Sequence, residues 1–333
     1  MRFLSLFAAA GTVALSIAVP LKHKRVSNFQ YFGVDESGAE FGPSNLPGTL
    51  GTDYTWPVDS SIDTLVSKGL NIFRVPFLME RLIPNNLTGS LDATYLSSLT
   101  SLVNHITNDK SAYAIIDPHN YGRYYSNIIT DTAGFQAWWK TVATQFASNT
   151  RVLFDTNNEY HDMDQSLVVE LNQAAINGIR AAGATSQTIL IEGNAWTGAW
   201  SWVSSGNGDS LLKLTDPNDN LVYEMHQYLD SDSSGTNAEC VNSTIGSSRL
   251  QAATQWLQQN GKKGIIGEFA AGNNDVCQSA VKDMLSYLKS NTDVWAGALW
   301  WGGGPWWGDY MFNMEPPSGV AYENYLPEIL TYI

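Results

Sequence analysis

Along residues 26–333 one rhythm recurs. A short apolar run gives way to polar residues, and then to a stretch whose apolar positions lie three and four apart. Eight such runs stand at 31–34, 71–75, 112–117, 152–155, 188–191, 221–225, 264–266 and 294–300. Short continuous apolar runs bounded by turn-forming residues predict strands covered on both faces. The helical spacing predicts helices at 60–67, 93–106, 134–146, 164–181, 247–259 and 278–289, with 322–330 closing the chain. Asp164 before the fourth of these and Gly183 after it are start and stop signals. The stretch 193–214 is rich in Trp, Ser and Gly and poorly periodic, so the fifth unit is expected to carry a degenerate helix.

Strands alternating with helices imply a parallel sheet, and eight of them suit a single (β/α)8 TIM barrel, an α/β fold. An open doubly wound sheet would bring a glycine-rich turn after its first strand, and Gly33-Val34-Asp35-Glu36 is not one. No linker or repeat divides 26–333, so one domain is expected. In a barrel, functional groups gather where strands end. Arg74 ends the second run; His119 and Asn120 end the third, Asn158 and Glu159 the fourth. His226 and Tyr228 follow the sixth, Glu268 the seventh, and Trp300 and Trp301 the eighth.

Composition narrows the partners. A formal net charge of −14 argues against nucleic acid and against anionic membrane surfaces. The 12 Trp and 15 Tyr suit stacking on flat uncharged ligands such as sugar rings. At the N-terminus, Arg2, the apolar stretch 3–17 and Ser16-Ile17-Ala18 read as a signal peptide over 1–18. Residues 19–25, ending in Lys24-Arg25, read as a propeptide with a dibasic processing site. A secreted, extracellular chain follows, with Cys240 and Cys277 as expected disulfide partners. Asn86 and Asn242 begin glycosylation sequons.

The chemistry starts from residues 151–164, RVLFDTNNEYHDMD, where Glu159 emerges from a buried strand among amides and aromatics. Ile265-Ile266-Gly267-Glu268-Phe269 places a second carboxylate after another buried run. Two such groups facing each other across a barrel mouth are the equipment of glycoside hydrolysis, retaining when close and inverting when far apart. One must hold a proton for the leaving oxygen and the other must attack as an anion, so their pKa values must be pushed apart.

These residues resemble glycoside hydrolase family 5. The resemblance runs through FRVPF at 73–77, DPHNYGRYY at 117–125, Asn158-Glu159, HQYLD at 226–230, IIGEF at 265–269 and ALWWGGGPWWGDY at 298–310. It covers nearly all of 26–333 and is strongest with secreted fungal endo-β-1,4-glucanases. It implies Glu159 as acid/base and Glu268 as nucleophile. It further implies Asn158 on the sugar 2-hydroxyl, Arg74 beneath the nucleophile, Tyr228 donating to Glu268, and His119 and His226 orienting sugar hydroxyls or Glu159. Trp301 would be the platform at the cleavage point. Tyr160 departs from the pattern, since a proline usually follows the acid/base Glu in this family.

Trp196, Trp200, Trp202, Trp306 and Trp307 are candidates for further sugar platforms, with packing under loops as the alternative. The run Asp230–Gly235 has a superficial likeness to a calcium loop, but Val241 stands where the twelfth-position Glu belongs, so a solvated loop is expected. His161, Asp162 and Asp164 lack metal-site spacing. No metal and no cofactor are expected. The expected function is endo-acting, retaining hydrolysis of cellulose and related β-glucans by a monomer. The alternatives are a related barrel hydrolase preferring mannan, xyloglucan or mixed-linkage β-glucan, and a silent carbohydrate-binding protein.

Overall fold

A computed structural model describes residues 28–333. The signal peptide expected at 1–18 and the propeptide at 19–25 lie outside the described residues. The eight expected strands form one closed parallel barrel. They are β1 Tyr31–Glu36, β2 Ile72–Phe77, β3 Tyr113–Pro118, β4 Val152–Asp155, β5 Ile189–Ile191, β6 Leu221–His226, β7 Gly264–Phe269 and β8 Trp295–Gly303. A small hairpin, Arg123–Tyr124 with Asn127–Ile128, decorates the loop after β3.

Around the barrel run α1 Asp59–Ser67, α2 Ala93–Asn104, α3 Thr132–Phe146, α4 Gln165–Ala181, α5 Asn207–Leu211, α6 Ile245–Asn260 and α7 Asp275–Ser290. Local chemistry sets several starts: the side chains of Asp92, Asp131 and Asn274 accept from the backbone N–H of Tyr95, Gly134 and Cys277. Asp164 is the N-cap of α4 but makes no such bond. The fifth unit's α5 is a single short turn of helix, as its weak periodicity predicts. The last expected helix is split into Val320–Asn324 and Leu326–Ile329, because Pro327 has no N–H to continue the ladder.

Strand alternation builds two layers inside the barrel. Tyr31, Ile72, Ile115, Leu153, Leu190, Ile265 and Leu299 form an apolar floor, separate from the larger core between strands and helices. The residue two positions further on points inward above that floor. In β1 it is Asp35, counting from Gly33; elsewhere it is Arg74, Asp117, Asp155, Glu192 and, after Val222, Glu224. Arg74 therefore does not end its strand, as its place after an apolar run suggests. It is the third residue of β2 and projects into the barrel. Strands β1 and β8 also outrun their expected ends, because they pair with each other as far as Glu36 opposite Gly303.

Alternation alone would turn Glu268 outward, because Ile266 and Phe269 pack on the helical side and Ile265 on the floor. The register between β6 and β7 shifts instead, with Met225 opposite Ile266 and His226 opposite Glu268. The extra residue is Gly267, where a Cβ would meet the Glu224 carboxylate at 1.8 Å. This bulge turns Glu268 to the inside.

The expected disulfide joins Cys240, in the loop after β6, to Cys277 in the first turn of α7. Their sequence separation of 37 closes a loop whose cross-linking stabilises the fold by about 3–4 kcal/mol in the chain-entropy picture. Guanidinium unfolding with and without reductant should show a loss of that size, and coincident curves would refute it.

Candidate active site

Above the apolar floor one cation meets six acids. The Arg74 guanidinium lies 3.2 Å from Asp35, 3.1 Å from Asp117, 2.8 Å from Asp155, 3.2 Å from Glu192, 3.2 Å from Glu224 and 2.9 Å from Glu268. All seven side chains are buried. A single positive charge cannot hold six carboxylates ionised away from water, so the cluster must retain protons. Burial raises the carboxyls of Asp35, Asp155 and Glu192 well above the ordinary range. It lifts Asp117 to about 8, with Arg74 opposing.

Glu268 goes the other way. Burial pushes its carboxyl up, but His226, Arg74, His119 and the Tyr228 hydroxyl outweigh it and hold the group below its usual value. Arg74 Nη1 donates to Glu268 Oε1, and the Tyr228 hydroxyl donates to Oε2 at 2.6 Å. Glu159 sits just past β4 and is only partly buried. Its Oε1 is 2.8 Å from His226 Nδ1, which also lies 3.4 Å from Glu268 Oε2. Burial disfavours a charged His226, yet Glu268, Glu192, Glu159 and Glu224 raise its pKa well above that of a free imidazole. A carboxylate oxygen of Glu159 and one of Glu268 lie within 4.8 Å of each other.

The remaining expected residues gather at the same mouth. Asn158 Oδ1 accepts from Arg74 at 2.7 Å, and its buried Nδ2 is left without a hydrogen-bond partner among the described residues. His119 Nδ1 is 2.8 Å from Asp117, and its ring lies nearly parallel to Trp301, centroids 5.4 Å apart. Burial first, and Arg74 second, depress His119 to about 4, so its ring is neutral at mildly acidic pH.

Other expectations divide. Trp202 is fully buried against Tyr223 and Trp256, so packing explains it. Trp307 is partly buried, stacked on Tyr310 and edge-on to Trp301. Trp196, Trp200 and Trp306 are exposed. Trp196 lies flat on His161 and Trp200 under Arg249. The 230–235 loop is not simply solvated: Asp230 is buried and accepts from the backbone N–H of Gly235, Thr236 and Asn237, which organises the turn. Tyr160 is buried too, its ring beneath Gly122, where a Cβ would meet it at 2.6 Å. Asn86 and Asn242 both accept from the threonine of their own sequon, in surface turns.

Five of the six acids around Arg74 escaped the sequence reading. Asp117, Asp155 and Glu192 stand two residues after a floor position, Glu224 two after Val222 and Asp35 four after Tyr31, and that period of two was the available signal. Among the described residues, two groups bring three metal-compatible side chains within 4.8 Å: Glu159, His226 and Glu268, and Glu192, Glu224 and His226. Both border Arg74 and include a histidine biased towards its cation, so a metal ion would meet positive charge there.

These shifts imply a pH dependence. Asp117 keeps its proton in the folded chain up to about 8, against an ordinary 3.8, so the folded state binds more protons in between. Stability therefore falls as pH rises through that interval, and the raised His226 adds to the fall above its ordinary 6.5. His119 works oppositely, but only between about 4 and 6.5. The unfolding midpoint should thus drop between pH 6.5 and 8, and Asp117→Asn should make that slope shallower by up to about 1.4 kcal/mol per pH unit, the worth of one proton. Equal slopes in calorimetry would sink this account.

Comparison with known proteins agrees with the geometry. The family described as cellulase (glycosyl hydrolase family 5) matches residues 34–304. The chain is 58% identical to endo-β-1,4-glucanase B of Emericella nidulans, covering 98% of this chain and 97% of that one. It is 58% identical to a probable endo-β-1,4-glucanase B of Neosartorya fischeri over the full length of both. Among solved structures, XacCel5A in complex with cellopentaose superposes with a TM-score of 0.88 at 37% identity, covering 92% of this chain and 99% of that one. Cel5A (EG2) of Hypocrea jecorina superposes with a TM-score of 0.80 at 32% identity, covering 88% and 95%. Barrel, inward-turned acids and full-length likeness converge: the chain belongs to glycosyl hydrolase family 5, the cellulase family.

Proposed function

We propose that this chain is an endo-β-1,4-glucanase that cleaves cellulose and related β-glucans with retention of anomeric configuration. Glu268 serves as nucleophile and Glu159 as acid/base. The observation that carries the reading is the separation of these carboxyls, under 4.8 Å at nearest approach, beside their unequal surroundings. Retaining enzymes place the pair about 5–5.5 Å apart, whereas inverting ones leave room for a water.

Glu268 attacks the anomeric carbon as an anion while Glu159 gives its proton to the departing glycosidic oxygen. Water then attacks the anomeric carbon of the glycosyl ester as the ionised Glu159 removes a proton from that water; the bond to Glu268 breaks, and both acids return to their starting forms. Arg74 and Tyr228 favour the ionised nucleophile before the attack. The unpartnered Nδ2 of Asn158 supports its role as donor to the sugar 2-hydroxyl. Trp301 provides the platform beneath the ring at the cleavage point. The apolar leader read at 1–18 and the disulfide support action as a secreted enzyme.

Glu268→Gln should remove turnover on soluble cellulose derivatives with the unfolding midpoint preserved. Glu159→Gln should lower kcat/KM on cello-oligosaccharides by about 10²–10⁴-fold and spare an aryl cellobioside whose leaving group needs no proton. Proton NMR of the first product formed should show the β-anomer. Near-wild-type activity of Glu268→Gln, or an α-anomer first, would defeat the assignment.

A further inference from the structure

The loop after β5 has no helix of consequence and no residue in the proposed chemistry, yet it is tightly built. Ala195, Trp196 and Thr197 are three consecutive non-glycine residues in the left-handed region, with φ of 54°, 53° and 45°. L side chains rarely adopt that conformation, and a run of them persists only where surrounding bonds impose it. Those bonds lead to the Glu159 segment. Trp196 N–H donates to the Tyr160 carbonyl at 3.0 Å, and Asn194 Nδ2 donates to the Met163 carbonyl at 2.7 Å. The same loop grips the partner of Glu159: His226 N–H donates to the Thr197 carbonyl at 3.1 Å, and Ala199 N–H donates to the His226 carbonyl at 2.9 Å.

The innermost contact belongs to Glu192, one residue past β5. Its Oε2 accepts the backbone N–H of Glu159 at 2.5 Å, while Oε1 lies 3.2 Å from Arg74 and 3.7 Å from His226 Nε2. Glu159 itself has a φ of 47°, so its backbone too is held in the left-handed region. Contacts thus close a ring: the Glu159 backbone on Glu192, Glu192 against His226, and His226 on the Glu159 carboxyl.

We infer that Glu192 is a positioning residue for proton transfer, fixing the left-handed turn at Glu159 from below so that its carboxyl meets both His226 and the glycosidic oxygen. The inference rests on Glu159 being the acid/base. The fifth barrel unit then has a role of its own, because ahead of its short α5 it carries a brace between the proton donor and that donor's histidine. Displacing a reacting group by about an ångström costs on the order of 10²-fold in rate, so loss of the brace should show in the proton-dependent step alone.

Glu192→Gln preserves shape, but an amide nitrogen cannot accept a hydrogen bond, whereas both oxygens of a carboxyl can, with or without its proton; the variant must therefore turn a second donor towards Glu159 N–H or towards Arg74. Its kcat/KM should be compared on a cello-oligosaccharide, whose leaving sugar needs a proton, and on 2,4-dinitrophenyl β-cellobioside, whose leaving group does not. We expect a loss of about 10- to 100-fold on the first substrate, a nearly unchanged value on the second, and recovery of part of the loss in Glu192→Asp. Equal losses on both substrates, or none on either, would overturn the inference. Glu159→Gln measured in parallel separates the two ideas. If it shows no leaving-group selectivity, the acid/base reading itself fails. If it does and Glu192→Gln does not, only the brace fails. Should Glu192→Gln not fold, Asn194→Ala removes the strap to Met163 with Glu192 in place, and the same selective loss is required.

Discussion

Everything inside the upper barrel depends on the Arg74 guanidinium. Seven of the eight strands deliver a side chain to that level, and six of those side chains are acids within 3.2 Å of one cation. Arginine suits this position because its planar fork offers five N–H donors and stays charged in any such setting. Substituting a neutral residue there would leave the buried acids with His226 alone as counter-charge, which is costly by about several kcal/mol. The apolar floor below and the substrate mouth above meet at this plane.

One cation among six acids also sorts the acids by use. Asp35, Asp117, Asp155 and Glu192 are driven by burial towards their protonated forms. Glu268 is held ionised by His226 and Arg74, helped by the Tyr228 hydroxyl. The proposed nucleophile thus differs from its neighbours less in kind than in how many donors converge on it. Glu159 is different again, since it stands above the cluster, partly exposed, and answers mainly to His226. Two carboxyls of the same chemical type thereby acquire separate duties from their surroundings.

The barrel's units share the labour unequally. Units four and seven carry the two proposed reacting acids, unit six supplies His226 and Tyr228, and unit eight carries Trp301, the proposed platform. Unit five reduces its helix to the single turn of α5 and keeps a strained loop that touches both Glu159 and His226. Stability and proposed function pull against each other here, because buried acids and left-handed residues are tolerated where they hold a site in place.

Much was legible in the sequence because the fold repeats. Eight apolar runs alternating with helical spacing determine a parallel barrel, and the barrel determines that strand ends meet at one face. That logic alone brings Glu159, Glu268, Arg74, Asn158, His119, His226, Tyr228 and Trp301 together. Sequence could not give depth or facing. Arg74 looked like a strand end and is a barrel interior. Trp202 looked like Trp196, yet one is buried and the other exposed. Tyr160, without a role in the linear pattern, fills the space beneath Gly122. Glu268 faces inward only because Gly267 adds a residue to β7. Composition and periodicity are local properties, so the chain by itself determined the elements, their order and the residues at the mouth. Register, bulges and the sharing of one charge among six acids arise only when strands distant in sequence pair, and the tertiary structure alone decided them.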